Sequence, residues 1–575
     1  MRDLHEWKDE SYRHKWWGWG PEGLEYDMHR RPDFWPWICK TAALPDDATP
    51  AYRISRDSIK LPARKSQPEF DDAVTALLGI DRVRHDDDDR IAHSFGRSYR
   101  DLVRLRAGLI DHPPDLILYP QSHDDVVAIV RLAGDHDVTL IPFGGGTNIV
   151  GCVEPSTADE RMVATLDMRL MNRLLALDKE SMTADLEPGL FGPQLERLLN
   201  AQGCSLGHHP DSFQFSTLGG WLATRSAGTQ SNVYGKIEDM VLAMRVVTPR
   251  GIIETKSLPA ASNGPDLNRV IVGSEGTFGI ITQATMRVHP VPEFEEYRLL
   301  LFPSFRDGFR ALRECGVQGV MPSMARLSDE AETELIFAAK YPSSGVKRIL
   351  NGPVKRLLRA RGYSRPAALV VAFEGTRKTA RQLRHAIRRI LRKHRAFDLG
   401  TGAGEAWKES RYDVPFLRDY LMDYGFITDS FETSTVWSNM MPLYEAVTEV
   451  IRKTFEEVTG FPGYVGNHIS HLYSTGACLY YSVGGRSREG STPEEMIEQY
   501  TTIKHAATSE IMRNGGALSH HHAVGYEHQP WIEQELSATG IRSLTGFKLC
   551  LDPQRILNPG SLLPDSALGP GSLPD

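Results

Sequence analysis

The sequence predicts an α+β protein of more than one domain, and three observations predict it. The chain has 575 residues, more than a single hydrophobic core usually serves. From Pro114 to Phe143, an apolar run, an amphipathic stretch and a second apolar run succeed one another, the order of a βαβ unit. Beyond Val291-Pro292, helix-like and strand-like segments alternate to about residue 515, without internal repeats or long low-complexity tracts.

Each element follows from its residues. Leu116-Ile117-Leu118-Tyr119-Pro120 reads as a short buried strand. Asp124 to Ala133 reads as a helix, with Ser122 as its N-cap and Val126, Val127, Ile129 and Val130 on its apolar side. Val138 to Phe143 then runs as a strand into three glycines. Further strands are expected at Met162 to Asp167, Thr183 to Glu187, Met240 to Thr248 and Val270 to Val272, punctuated by Pro188-Gly189, Pro249-Arg250-Gly251 and Gly273. Residues 1–112 read as a helical and loop region carrying the aromatic segment His14 to Gly20 and an acidic run, Asp86 to Asp89, expected to be a solvated loop.

Composition excludes several classes. Net charge is −8, with 41% hydrophobic and 24% charged residues. That is ordinary for a globular chain and argues against global nucleic-acid binding. No apolar run approaches the roughly 20 residues that span a bilayer. The first residues lack the apolar core of a secretory signal, and Ser572 to Asp575 is not a peroxisomal tripeptide. A cytoplasmic protein is expected. The six cysteines are scattered without a Cys-x-x-Cys pair, so they read as buried free thiols rather than zinc ligands or a disulfide framework.

Three glycine-bearing loops carry the chemistry. The first is Pro142-Phe143-Gly144-Gly145-Gly146-Thr147-Asn148, whose successive backbone N–H groups can form an anion-binding nest. A side chain at Gly145 is expected to crowd a pyrophosphate. The second is Asp211-Ser212-Phe213-Gln214-Phe215-Ser216-Thr217, followed by Thr224-Arg225-Ser226-Ala227. The third is Glu275-Gly276-Thr277-Phe278-Gly279-Ile280-Ile281. A long dinucleotide needs several such backbone-lined contacts, and none of the three is the Gly-x-Gly-x-x-Gly nicotinamide fingerprint.

These loops resemble the flavin-binding segments of the vanillyl-alcohol-oxidase-type superfamily. The resemblance implies a two-subdomain PCMH-type FAD-binding domain at 113–292 and a cap, or substrate, domain with a central antiparallel sheet at 293–515. A C-terminal segment, 516–575, returns to the flavin site. Many members tether FAD through a histidine or cysteine near the first loop. Here Phe143 precedes the glycines, so noncovalent FAD is expected, with Cys152 the nearby thiol to watch.

Other motifs narrow the family. They are Ser430-Phe431-Glu432-Thr433-Ser434, the strand Gly476-Ala477-Cys478-Leu479-Tyr480, Ser519-His520-His521-His522, and Asp552-Pro553 through Leu557-Asn558-Pro559. With them the chain resembles the alkylglycerone-phosphate (alkyl-dihydroxyacetone-phosphate) synthase family. That resemblance implies an FAD-dependent, non-redox exchange of the acyl group of acyl-dihydroxyacetone phosphate for a long-chain fatty alcohol, a step of ether lipid biosynthesis. It also implies catalytic roles for Tyr480, Arg326, His520, His521 and His522, and a substrate-binding role for Arg418. From the residues alone, ion pairing of the two arginines to Asp329 and Asp419 stays open.

If the histidine segment is extended, His520 and His522 share a face and His521 opposes them. A metal would then need partners such as His468 and His471. Substrate binding or proton transfer is the preferred reading, and no resident metal is expected. No peroxisomal signal is evident, Asn148 stands where serine is common, and the His468/His471 pair departs from the eukaryotic pattern. A bacterial member is therefore expected, with a homodimer left open. Lys347 to Arg395 is basic and partly amphipathic. It reads as a solvated face or as peripheral contact with the inner face of a membrane.

Two alternatives compete. One is an FAD-linked oxidase or dehydrogenase of a 2-hydroxy acid or alcohol. Relatives of that kind carry His-x-x-Gly-Asp-Gly-Asn, and Gly463-Tyr464-Val465-Gly466-Asn467-His468 lacks the acidic residue. The other is a catalytically silent flavoprotein at a membrane surface, against which Tyr480, Arg418 and the triple histidine argue.

Overall fold

The computed structural model describes residues 14–45, 47–50, 53–339 and 353–568. Its first sheet holds Val83–Arg84 (β1), Leu116–Leu118 (β2), Thr139–Phe143 (β3) and Val163–Asp167 (β4), in the order β1-β2-β4-β3. β2, β4 and β3 run parallel. Every residue of β2 and β4 is buried, as expected of near-continuous apolar runs in a parallel sheet. The helix His123–Asp135 links β2 to β3, and Ser122 accepts the Asp125 N–H at its start, a cap whose loss to alanine would cost about 1 kcal/mol.

The second sheet is antiparallel, with Leu174–Asp178 (β5), Thr183–Leu186 (β6), Val241–Thr248 (β7), Gly251–Glu254 (β8) and Ile280–Arg287 (β9) in the order β5-β6-β9-β7-β8. Two sequence expectations fail in these two sheets and their helices. Val270 to Val272 is not a strand but lies at the end of the helix Leu267–Ile271, which Asp266 caps through the Asn268 N–H. The short apolar run did not distinguish strand from helix, and the cap decides. The acidic run is not a loop either, although Asp86, Asp87 and Asp88 are exposed to solvent. Asp86 caps the helix Asp87–Ala92, and fully buried Asp89 accepts the Tyr119 hydroxyl at 3.0 Å and pairs with Arg84 at 3.1 Å.

The third sheet has seven antiparallel strands: Phe294–Phe302 (β10), Met324–Ser328 (β11), Ala367–Gly375 (β12), Phe397–Asp398 (β13), Phe426–Val436 (β14), Tyr464–Leu472 (β15) and Gly476–Arg486 (β16). Their order is β13-β10-β12-β11-β15-β16-β14. Alternation assigns its two faces. Leu479, Tyr481 and Val483 of β16 enter a core with Leu443, Val447 and Ile451 of the helix Met440–Thr459. Tyr480, Ser482 and Gly484 face the cavity described below.

The chain's ends close the structure. Leu140 of β3 bridges Leu557 in parallel. The Lys548 ammonium donates to the carbonyls of Thr277 and Leu557 and to Asp552. Trp19 packs edge-on against Phe215, bringing the N-terminal aromatic segment onto the second glycine loop. In the basic stretch, residues 347–352 lie outside the described residues. The helix Arg377–Lys393 buries Ala380, Ile387, Ile390 and Leu391 and exposes most of its arginines.

Candidate functional site

The three glycine loops interlock. A methyl group built on Gly144 would sit 2.3 Å from Thr217 Oγ1, on Gly145 1.8 Å from the Phe215 carbonyl oxygen, and on Gly276 2.3 Å from Pro142 Cγ. Gly146 (φ 65°) and Gly276 (φ 77°) also occupy the left-handed region. Only glycine allows this approach. The expectation for Gly145 is thereby corrected, because its missing side chain makes room for the second loop's backbone, not for a ligand.

The loops open on one cavity of about 540 Å³. Pro142 to Asn148, Asp211, Ser212, Ser216, Thr217, Thr224, Ser226, Ala227, Glu275, Gly276, Gly279, Ile280 and Ile281 line it. Six expected cofactor contacts do not. Phe213 stacks on Trp221 with interplanar angle 12°. Phe215 packs on Trp19, and Gln214 lies between these two turned-in rings. Arg225 ends its helix in left-handed geometry and directs Nε to Glu238 at 3.1 Å. The Thr277 hydroxyl bonds the Ser274 carbonyl at 2.7 Å, and Phe278 is buried against Phe547. Alternation within a loop turns such residues inward, which a contiguous sequence motif hides.

The Glu275 carboxylate is committed to fastening the C-terminal segment. It accepts the Val524 and Gly525 N–H groups and the Ser561 hydroxyl. Cys152 lines the cavity but is buried. Burial, then the Glu275 carboxylate, pushes its thiol well above the ordinary value, so it is a poor nucleophile.

The register of the cap sheet builds the opposite wall. Tyr480 pairs with Glu432 on one side and His468 on the other. The His468 and Tyr480 rings stack, with centroids 4.6 Å apart and planes 21° apart. His468 Nδ1 lies 3.0 Å from Glu332, to which Arg326 donates at 2.9 Å. Arg326 therefore pairs with Glu332 and not with Asp329, which caps the next helix and accepts from Asn467. Burial opposes ionisation of Glu332, yet His468 and Arg326 hold it well below the carboxylate range. Burial, then the Asp211 carboxylate, pushes the Tyr480 phenol well above its ordinary value.

Arg418 comes from the helix Val414–Met422. Its Nη1 donates to the Arg97 carbonyl at 2.7 Å, while buried Nε and Nη2 have no hydrogen-bond partner among the described residues. The neighbouring Asp419 forms an ion pair with it, Nη2 to Oδ1 at 3.8 Å, too long for a hydrogen bond, and accepts the Trp19 N–H on its other oxygen. A guanidinium with unspent donors at a cavity wall suits an anion that accepts two hydrogen bonds.

The histidine segment is not extended. Glu432 gathers it, accepting the Ser519 hydroxyl and the backbone N–H groups of His520, His521 and His522. His521 and His522 reach the cavity, but His520 turns to the Tyr473 hydroxyl at 2.6 Å. The expected shared face of His520 and His522 is thus replaced by an adjacent pair. Burial lowers His521 and His522 to about 4. Possible metal donors on Glu432, Cys478, His520 and His521 lie within 4.8 Å of one another. However, Glu432 Oε1 already accepts three hydrogen bonds, so this carboxylate serves as a loop anchor. His471 packs its ring 5.0 Å from that of His520 and 5.3 Å from that of His521 while its Nδ1 bonds Ser231 at 2.6 Å, and His468 Nδ1 is taken by Glu332.

The cavity also has an apolar arm that the sequence reading missed. Tyr26, Phe34, Trp37 and Ile38 line it with Leu335, Ile336, Leu417 and Leu421. The aromatic density of residues 16–37 was the available signal, but nothing in it said that the segment crosses to the cap.

Comparison with known proteins agrees with this geometry. Residues 114–256 match the FAD binding domain family, and residues 291–562 match the C-terminal domain of FAD linked oxidases. The chain is 41% identical to alkyldihydroxyacetonephosphate synthase of Dictyostelium discoideum, over 90% of this chain and 84% of that one. It is 39% identical to the synthase of Trypanosoma brucei brucei, over 96% and 92%. A solved alkyldihydroxyacetonephosphate synthase structure superposes with TM-score 0.82 at 36% identity, covering 97% of this chain and all of that one.

Proposed function

The chain belongs to the alkyldihydroxyacetonephosphate synthase family, and we propose that it exchanges the acyl group of acyl-dihydroxyacetone phosphate for a long-chain fatty alcohol. The observation that carries this reading is the single cavity in which the unspent donors of Arg418, the Tyr480–His468 pair and an apolar arm meet the three glycine loops. A ligand that fills it has an anionic head and a hydrocarbon tail.

The cofactor is FAD, and the interlocked loops fit it. Gly144 to Asn148, Ser216, Thr217, Ser226 and Gly276 offer backbone and hydroxyl contacts along one wall. The FAD is held without a covalent link, since Phe143 offers no tether and Cys152 is bonded and protonated. When bound, FAD supplies the isoalloxazine ring at the reacting centre, with no net oxidation or reduction.

The chain's own residues do the rest. Arg418 takes the phosphate. The apolar arm takes the hydrocarbon chain and keeps water from the reacting carbon. The fatty alcohol must lose its hydroxyl proton as its oxygen forms the ether bond, and the acyl group leaves as a carboxylate. The neutral imidazoles of His521 and His522 can accept that proton, and the Tyr480 phenol, protonated at neutral pH, can donate or return one at the substrate oxygen. Arg326 is held by Glu332 beside this point. The basic face of the helix Arg377–Lys393 supports reversible contact with an anionic lipid surface, which co-sedimentation with anionic vesicles at rising salt tests. The direct test of the exchange itself is transfer of labelled hexadecanol into the alkyl product by the purified holoenzyme.

A further inference from the structure

We propose that Gly484 sets how long a hydrocarbon chain the cavity accepts. This rests on the reading of the apolar arm as a hydrocarbon site. Along β16, Tyr480, Ser482 and Gly484 face the cavity in succession. Gly484 pairs with Thr428 on β14 and Tyr464 on β15, both of which also line the cavity. Gly484 lies four residue steps beyond Tyr480 on the strand, an advance of about 13 Å along the floor.

Glycine weakens a strand unless something must come close to it. Gly466 and Gly484, which share the Tyr480 face by alternation, differ here. A methyl group on Gly466 would meet the Tyr464 hydroxyl at 2.2 Å, so packing within the protein excludes a side chain there. A methyl group on Gly484 would meet nothing within 4 Å, and its φ is outside the left-handed region. Neither backbone nor neighbouring residues require glycine at 484. Its missing side chain leaves a notch between Thr428 and Tyr464, beside the apolar Phe426. A chain starting at Tyr480 passes over this notch only if it is long enough, so the notch discriminates by length.

The test uses the FAD holoenzyme with Gly484→Ala, Gly484→Val and Gly484→Leu. Calorimetric binding of octanoic and hexadecanoic acid is compared with exchange on the corresponding acyl-dihydroxyacetone phosphates. Hexadecanoic acid should weaken in the order Ala, Val, Leu, by about 10–200-fold for leucine, the scale on which a hydrophobic pocket discriminates one methylene group. Octanoic acid should bind as before, and KM should move more than kcat. An unchanged length preference, or equal weakening of both acids, overturns the proposal. Should the leucine variant lose FAD, the alanine and valine variants carry the same graded comparison. Wild-type protein that binds neither acid and turns over neither substrate overturns the functional reading as well. Wild-type protein that favours the long chain, with variants that do so equally, overturns the role of Gly484 alone.

Discussion

His468 lies flat against Tyr480, with ring centroids 4.6 Å apart, while its Nδ1 is 3.0 Å from the Glu332 carboxylate that also holds Arg326. One carboxylate therefore positions both the ring that supports the tyrosine and the arginine beside it. Such a stack is worth about 0.5–1.5 kcal/mol beyond the area it buries. Tyr480→Phe keeps the stack and removes only the hydroxyl. The variant should retain FAD and thermal stability, and kcat should fall about 10²–10⁴-fold, the usual contribution of a positioned acid–base group. An unchanged kcat would reduce Tyr480 to a packing residue.

Gly145→Val should yield protein with little FAD. The cause is the clash of its Cβ with the Phe215 carbonyl, 1.8 Å away without rearrangement, which separates the first two loops. Flavin absorbance of the purified variant measures this, and normal FAD content would show that the loops need not touch. In the wild type, acid or heat should release all the flavin into solution. Flavin that stays with the precipitate would reveal a covalent link.

Arg418→Lys should raise KM for acyl-dihydroxyacetone phosphate far more than for the alcohol. Lysine keeps the charge but cannot present two donors in a plane. The loss of a charge-assisted hydrogen bond is on the order of 1.5–3 kcal/mol, or roughly 10–150-fold. Steady-state kinetics with each substrate varied in turn would expose an equal effect on both, which would remove the phosphate from this arginine.

The pH profile carries its own sign. Burial lowers His521 and His522 to about 4, so both imidazoles are neutral above that value and charge only as pH falls through it. The Tyr480 phenol is raised, so it stays protonated well into the alkaline range. From about pH 5.5 to 8 kcat should be level, since neither group titrates there. An acid limb centred near 6.5, the ordinary imidazole value, abolished by His521→Gln or His522→Gln, would contradict the buried neutral pair.

The sequence carried the glycine loops, the Tyr480 strand and the three histidines because each is a contiguous motif with strong local chemistry. The helix at His123–Asp135 was legible for a similar reason, since Ser122 and an apolar stripe declare it. What was illegible depended on long-range pairing. Glu332 meets His468 across 136 residues, and Glu432 holds the histidine segment from 88 residues away. No local periodicity encodes either contact. The inward turns of Phe213, Phe215 and Phe278 were hidden for the opposite reason: a motif quoted as a block does not say which of its residues face the ligand. The apolar arm needed the N-terminal aromatics and the cap helices together, a tertiary fact throughout.

The measurement that bears most directly on the account is exchange by the purified, FAD-loaded protein, supplied with acyl-dihydroxyacetone phosphate labelled in the acyl group and hexadecanol labelled separately. Labelled fatty acid should be released and labelled alkyl-dihydroxyacetone phosphate should form in equal amounts, with no consumption of oxygen and no reduction of an added electron acceptor. Acceptor reduction with lactate, glycolate or an alcohol, in the absence of any alkyl product, would contradict it and assign the same cavity to redox chemistry.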